Sequence, residues 1–180
     1  YIAWQSMARD GYESDRNRLC VYELATSKKN YVSEKFDSSV EGFVWNKDNK
    51  SLSFIGVWHG TLNLYQANFK GEVKQITNEW ADYGSISLAN NGNKLLATKA
   101  SMSHPTDIYI VTPGKDAKST KVEQITREND HILNQLNLGK CEQRWVKTTD
   151  GKQMLVWIML PSNFDANKKY PTLLFCEGGP

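Results

Sequence analysis

A repeat of 43 or 44 residues constrains the fold of this 180-residue sequence more than any other feature. Three anchors recur in the same order within each unit. They are Tyr22, Tyr65 and Tyr109, each in an apolar run; Leu52 and Leu95, each after a polar turn; and the tripeptide Gln75-Ile76-Thr77, which returns as Gln124-Ile125-Thr126. Internal repetition at a fixed spacing indicates a repeated supersecondary unit rather than one irregular fold.

Each full unit contains four short strand-like runs separated by turn residues. The runs are 40–45, 51–58, 62–67 and 72–77 in one unit, and 84–89, 94–100, 107–112 and 121–126 in the next. The connections contain Asn, Asp and Gly, which suit tight turns. Four strands within about 40–45 residues are typical of a β-propeller blade. The first unit begins at the second strand of a blade, so we expect about three blades, the first incomplete.

Composition narrows the functional classes. The 22 basic and 20 acidic residues are scattered without a basic stripe, so we expect no nucleic-acid partner. No apolar run reaches the 18 residues that suggest a membrane span. Cys20, Cys141 and Cys176 lack the spacing of zinc ligands, so the sequence predicts no metal site, and we expect all three thiols to be buried. We also expect no cofactor.

The repeat ends after Thr126, and a different pattern follows. Residues 128–140 predict a linker with a short helix at 131–136. Residues 141–148 and 153–160 predict a hairpin around Asp150-Gly151. The apolar run 173–176, bounded by Pro171 and Gly178, predicts a strand buried on both faces, which is typical of an α/β domain. The expected domains are therefore the C-terminal part of a propeller at 1–127, the linker at 128–140, and the first strands of a second domain at 141–180.

The order of these parts resembles one enzyme family. The motifs are Leu-Asn-Leu-Gly-Lys-Cys-Glu at 136–142, Thr-Asp-Gly-Lys at 149–152, Leu-Pro-Ser-Asn-Phe-Asp at 160–165, Lys-Lys-Tyr-Pro at 168–171 and Glu-Gly-Gly-Pro at 177–180. Together with the repeats they resemble the prolyl oligopeptidase family of serine peptidases, in particular the branch of acylaminoacyl peptidases and bacterial dipeptidyl peptidases. The resemblance implies a mainly β chain, a partial β-propeller followed by the first strands of an α/β-hydrolase domain, within a peptidase that hydrolyses short peptides.

The resemblance also implies a Ser-Asp-His triad whose serine lies in a Gly-x-Ser-x-Gly turn. The sequence contains no such turn, so we expect this chain to be inactive by itself. Gly178 and Gly179 match the loop that supplies a backbone N–H to the oxyanion hole in α/β-hydrolases. Glu177 cannot take that role, because an ionised carboxylate donates no hydrogen bond. The alternative is that the two glycines only turn the chain.

A polar insertion, residues 9–16, contains the second candidate site. In dipeptidyl peptidases of the family, acidic residues of the propeller hold the α-amino group of the substrate, and Glu13 or Asp15 matches that role by resemblance. The alternative is a solvated loop whose carboxylates pair with Arg9, Arg16 and Arg18.

Several functional interpretations stay open from the sequence. Dipeptidyl, acylaminoacyl and endo-acting peptidases all fit, and a non-catalytic propeller that serves as a binding module is the rival from another class. We expect a periplasmic or secreted protein. We also expect self-association, because an unclosed propeller exposes strand edges.

Overall fold

The structure is a computed structural model that describes residues 1–89, 92–176 and 178. The chain divides into two compact units, Tyr1–Gln135 and Leu136–Pro180. The finer boundaries expected at 127/128 and 140/141 stay a prediction. Among the described residues, no helix is both long enough and apolar enough to cross a membrane.

The first unit is built from consecutive antiparallel strands. The first blade comprises β1 (Ile2–Ser6), β2 (Arg18–Glu23) and β3 (Lys28–Tyr31). The second comprises β4 (Val40–Trp45), β5 (Ser51–Trp58), β6 (Thr61–Asn68) and β7 (Val73–Gln75). The third comprises β8 (Asp82–Leu88), β9 (Leu95–Ser101), β10 (His104–Thr112) and β11 (Lys121–Gln124), and α1 (Asp130–Leu133) follows it. Within each blade, every strand pairs antiparallel with the next one along the chain.

This arrangement confirms the partial propeller and places its strands close to the predicted runs. The second and third blades are four-stranded meanders, and the first has three strands. The second and third blades are joined by one parallel pair, Leu62 with Asp82, where the Leu62 N–H donates to Asp82 Oδ1 at 2.9 Å. The helix expected at 131–136 is a single turn, and the Asn129 side chain makes no capping hydrogen bond.

In each blade a hydroxyl side chain forms a hydrogen bond with the backbone of a neighbouring strand. This contact explains why the threonine of the tripeptide Gln-Ile-Thr recurs. The Leu64 N–H donates to Thr77 Oγ1 and the Ile108 N–H to Thr126 Oγ1, both at 2.9 Å. In the first blade the Leu19 N–H donates to Ser33 Oγ at 2.8 Å. A residue just beyond the fourth strand thus satisfies a backbone donor of the third strand, which would otherwise be unpaired. We call this contact the hydroxyl lock.

The lock corrects the predicted repeat in the first blade. Leu19 corresponds to Leu64, because the N–H of Val32 donates to the Leu19 carbonyl as the N–H of Ile76 donates to that of Leu64. Tyr22 is therefore two residues away from the position of Tyr65, and matching the two tyrosines was wrong. A two-residue slip keeps every side chain on the same face of a strand, so the apolar pattern could not reveal it.

The core lies between blades rather than inside any one of them. Phe54 and Tyr65 pack with Leu19, Val21 and other residues of the first blade. Ile55, the next residue after Phe54, packs instead with Tyr83 and the apolar side chains of the third blade. This follows from the alternation of side chains along a strand. Neighbouring blades therefore share their buried surface.

Phe36, in the connection between the first and second blades, fills the space above Gly56. A Cβ atom added at Gly56 would lie 2.5 Å from Phe36 Cζ and 2.9 Å from Tyr65 Cδ2. The Phe36 ring also packs edge-on with Phe54 and at a tilt with Tyr65, with centroids 5.3 and 4.7 Å away. Glycine is thus required at residue 56 by the close approach of two aromatic rings.

The second unit contains a two-stranded hairpin, β12 (Lys140–Lys147) with β13 (Gln153–Leu160), as the Asp-Gly turn predicted. Gly151 has φ +83°, which favours glycine. The buried strand expected at 173–176 was wrong for the described structure, since Leu173 is 97% exposed and Phe175 89%. No described strand lies beside this run, so its backbone has no ladder partner. The expectation of three buried thiols holds for Cys20, whereas Cys141 is half-buried and Cys176 is exposed.

Candidate functional site

The polar insertion forms a long loop on the first blade. Residues 7–17 connect β1 to β2. In the second blade the corresponding strands, β5 and β6, are connected by only two residues, His59 and Gly60. These two residues have φ of 52° and 71°, as a tight hairpin turn requires. The first blade therefore carries a loop that the turn geometry of its neighbour does not need. We call residues 7–17 the long loop.

Arg9 and Asp15 close the long loop on itself. Arg9 Nη2 donates to Asp15 Oδ1 at 2.6 Å, while Arg9 Nε and the Arg9 backbone N–H both donate to Oδ2 at 3.0 Å. The Arg9 guanidinium also lies 3.8 Å above the centre of the Tyr12 ring. The hydrogen bonds from Arg9 lower the pKa of the Asp15 carboxyl from its ordinary value. Asp15 is therefore engaged inside the loop as an ionised group.

Glu13 differs from Asp15. It is exposed, and among residues 1–89, 92–176 and 178 its carboxylate has no recorded hydrogen bond or ion pair. A carboxylate presented in this way can accept charge-assisted hydrogen bonds from an ammonium group. Of the two acidic residues singled out from the sequence, the structure leaves Glu13 available and Asp15 occupied.

The C-terminal end of the long loop is attached to the connection between the first two blades. Arg16 donates to two backbone carbonyls, those of Phe36 at 2.5 Å and Glu34 at 2.9 Å. The Asn17 carbonyl accepts from the N–H of Val40 at 2.9 Å. The loop thus starts and ends on fixed structure, and the Arg9–Asp15 pair holds the residues between.

Arg18, the first residue of β2, was noted in the sequence only for its charge. It stands where the other blades have Asn63 and Asp107, side chains that accept the hydroxyl proton of their lock threonine. Its guanidinium lies 4.1 Å from the centre of the Tyr31 ring and pairs with Glu34 at 3.3 Å. Within the described part of the chain its buried Nε has no hydrogen-bond partner. The wrong match of Tyr22 hid this departure from the repeat.

Gly178 belongs to the second unit. A Cβ at Gly178 would meet no described atom within 4 Å, so its backbone is sterically open. Glu177 and Gly179 lie outside the described residues. The expected oxyanion donors Gly178 and Gly179 therefore stay a prediction.

A buried cluster that the sequence did not reveal joins the second and third blades. Tyr83 is fully buried and its hydroxyl donates to Glu79 Oε2 at 2.5 Å, while Lys99 Nζ lies 3.2 Å from Glu79 Oε1. Burial raises the pKa of Tyr83, and the hydrogen bond to Glu79 adds to this effect. Lys99 also lies 4.2 Å from the centre of the Tyr109 ring. Because each charge is paired, this cluster is a structural contact.

A cleft of about 340 Å³ lies between the first turns of the second and third blades. Three of its polar side chains already make hydrogen bonds: Asn46 donates to Ser51 Oγ at 2.8 Å, Ser53 donates to Asn46 Oδ1 at 2.8 Å and Gln66 donates to Ser51 Oγ at 3.0 Å. Across the described residues no group of His, Cys, Asp and Glu is arranged to hold a metal ion. The long loop is therefore the candidate site that the first unit offers.

Comparison with known proteins assigns the family. The chain is 44% identical over 180 residues to dipeptidyl-peptidase 5 of Porphyromonas gingivalis, a match that covers 99% of this chain and 25% of the relative. It is 31% identical over 188 residues to dipeptidyl-peptidase 5 of Schizosaccharomyces pombe, covering 100% of this chain and 26% of the relative. The chain belongs to the prolyl oligopeptidase family. It spans about a quarter of the length of these curated relatives.

Solved structures agree on the fold. An acylaminoacyl peptidase in complex with Z-Gly-Gly-Phe-chloromethyl ketone superposes with a TM-score of 0.71 at 18% identity, over 93% of this chain and 24% of that one. The β-propeller domain of the Trilobed protease from Pyrococcus furiosus gives a TM-score of 0.54 at 19% identity, over 73% of this chain and 36% of that one. No family model matches the chain. The blades thus have the fold of a β-propeller domain.

Proposed function

We propose that this chain is a segment of a longer serine exopeptidase of the dipeptidyl-peptidase type, which hydrolyses short peptides. The observation that carries the proposal is the 44% identity to a dipeptidyl-peptidase 5, which extends over the blades and the hairpin alike. The rest of the α/β-hydrolase domain, with the catalytic serine, belongs to the longer protein, since this sequence contains no Gly-x-Ser-x-Gly turn.

In this proposal the long loop supplies the selectivity for free peptide N-termini. The Glu13 carboxylate accepts hydrogen bonds from the substrate α-ammonium group, a charge-assisted contact that a blocked N-terminus cannot make. Fixing the amine fixes which peptide bond reaches the serine, and so determines that a dipeptide is released.

The chemical step follows the serine-hydrolase scheme. The serine attacks the scissile carbonyl, a histidine takes its proton, and an aspartate orients the histidine. The Gly178 or Gly179 N–H donates to the oxyanion as negative charge develops there, and glycine allows the close approach. Glu177 takes no part in this donation, because its carboxylate would repel the oxyanion.

The full-length protein tests the proposal with three substrates: a dipeptidyl 4-nitroanilide with a free amine, its N-acetylated counterpart, and a longer peptide blocked at both ends. We expect hydrolysis of the first, and inhibition by a serine-directed fluorophosphonate. Preference for the acetylated substrate would support an acylaminoacyl peptidase instead, and cleavage of the blocked peptide an endopeptidase. Full-length protein inert to all three and to the fluorophosphonate would leave the binding-module interpretation. The 180-residue chain alone should be inactive.

Two further parts of the proposal concern the location of the longer protein and the assembly of this chain. We place the longer protein in the periplasm or outside the cell, and cell fractionation followed by immunoblotting tests this. We also propose that the 180-residue chain taken alone self-associates through the exposed strand edges of its unclosed propeller, which light scattering coupled to size exclusion measures directly. A cytoplasmic location or a monomeric mass would refute the respective statement without affecting the peptidase proposal.

A further inference from the structure

We propose that Arg9, acting through Asp15, is the positioning residue that keeps Glu13 free for the substrate amine. This inference rests on the proposed function of Glu13, and it goes further by assigning a role to a cation and to a second carboxylate. The role of Asp15 in this proposal is to occupy Arg9 rather than to touch substrate.

The first argument is geometric. Glu13 lies between Tyr12 and Asp15 in sequence, and Arg9 contacts both of them. The N–H of Asp15 also donates to the Tyr12 carbonyl at 3.0 Å, and Gly11, with φ +72°, lets the chain turn back. One guanidinium thus contacts the side chains of two residues that flank Glu13, Tyr12 and Asp15. Such pre-organisation lowers the entropy lost when a ligand binds.

The second argument concerns charge. The Arg9 side chain is 58% exposed, whereas that of Asp15 is 12% exposed. With Asp15 paired to Arg9, the charges of these two residues cancel. The negative charges that remain in the segment 9–15 are those of Asp10 and Glu13. Without the Asp15 charge, the Arg9 guanidinium would be a cation a few residues from Glu13. It would then compete with the substrate amine for the Glu13 carboxylate.

This competition makes a prediction that a purely structural pair would not make. Removing the negative charge of Asp15 releases Arg9 to neutralise Glu13. Removing both charges leaves Glu13 loosely held but unpaired. The double variant should therefore bind the free-amine substrate better than the single Asp15 variant, although it retains less of the loop's bonding.

The experiment uses the full-length enzyme and the variants Glu13→Gln, Asp15→Asn, Arg9→Gln, Arg9→Lys and the double variant Arg9→Gln/Asp15→Asn. The substrates are the dipeptidyl 4-nitroanilide with a free amine and its acetylated counterpart. Arg127→Gln is the matched control, because Arg127 is 62% exposed and pairs with Asp130 outside the long loop. Circular dichroism and thermal unfolding show that each variant is folded.

We expect Asp15→Asn to raise KM for the free-amine substrate roughly tenfold with little change in kcat, as Glu13→Gln does. Arg9→Gln should raise KM about threefold, and Arg9→Lys should raise it less. The KM of the double variant should fall from that of Asp15→Asn towards that of Arg9→Gln. KM for any residual turnover of the acetylated substrate, and all parameters of Arg127→Gln, should stay as in the native enzyme.

The outcomes separate the two proposals. If Glu13→Gln raises KM while Asp15→Asn and Arg9→Gln do not, the amine-binding role of Glu13 stands and the positioning role of Arg9 is refuted. If the double variant binds worse than Asp15→Asn, the competition argument is wrong. If Glu13→Gln leaves KM unchanged, both roles fail, and dipeptidyl activity with a free-amine requirement would point to an anchor elsewhere.

Discussion

Replacing Thr77 by valine removes one hydroxyl lock. Thr77 Oγ1 accepts the Leu64 N–H and donates to Asn63 Oδ1, both at 2.9 Å. Thr77 and Asn63 are each 2% exposed and Leu64 is fully buried, so water cannot take the place of the hydroxyl. Valine has nearly the same shape, and Asn63 Oδ1 keeps the Glu79 N–H at 3.0 Å. The change therefore leaves the Leu64 N–H as a buried donor without a partner.

An unpaired buried donor costs about 1–3 kcal/mol of folding free energy. Thr77→Ser keeps the hydroxyl and should cost less, about 1 kcal/mol, for the lost methyl group. Thr106→Val makes the same chemical change at an exposed position of β10 and should stay within about 0.5 kcal/mol of the native protein.

Urea unfolding of the full-length protein, followed by tryptophan fluorescence, measures these differences from the shift in midpoint. Hydrogen exchange of the peptide that contains Leu64 localises the effect, since its amide should exchange faster in Thr77→Val and not in Thr77→Ser. Equal midpoints for Thr77→Val and Thr106→Val would refute the reasoning, because the lock would then contribute nothing beyond an ordinary surface threonine.

Three further predictions follow from contacts already described. Gly56→Ala should destabilise the protein by about 1–3 kcal/mol, because the new Cβ meets the Phe36 ring. Adding Phe36→Leu should recover part of the lost stability, as measured by urea unfolding. An unchanged stability of Gly56→Ala would contradict the close packing. Burial raises the pKa of Tyr65 to about 12, so its contribution to stability is complete below pH ~10 and is lost as the pH rises towards 12. Tyr65→Phe should flatten this decline in unfolding experiments, and an unchanged slope would refute it. The pKa of Asp15 is lowered, so its contact with Arg9 should persist above pH ~4 and weaken as the pH falls below that value. The NMR signal of the Arg9 Nε–H should report this change, and a signal that is the same at pH ~2 as at neutral pH would contradict it.

The sequence predicted the blades well because their signals are local. Turn residues bound each strand, and the tripeptide that ends a blade carries the lock threonine, so strands β4 to β11 lie near their predicted positions. The expected strand at 173–176 failed for the opposite reason. An apolar run indicates burial only where a partner strand exists, and pairing is a property of the neighbours rather than of the run.

The candidate site was only partly visible in the sequence. Glu13 and Asp15 were found together because both are acidic residues of one insertion. Which of them is paired depends on a contact between Arg9 and Asp15, six positions apart in a loop, and no periodic pattern specifies such a contact. Arg18 was missed because its correspondence with Asn63 and Asp107 appears only when the first blade is aligned by its hydroxyl lock.

Strand β5 has a practical consequence through its two adjacent core residues. Phe54 reports on the boundary with the first blade and Ile55 on the boundary with the third, although their backbones are consecutive. A fluorine label at Phe54 would therefore report on the interface with the first blade, and one at Ile55 on the interface with the third. Because the buried surface of each blade is shared with a neighbouring blade, the stability of a blade depends on the presence of its neighbours. The stability of the unit therefore comes largely from the interfaces between adjacent blades.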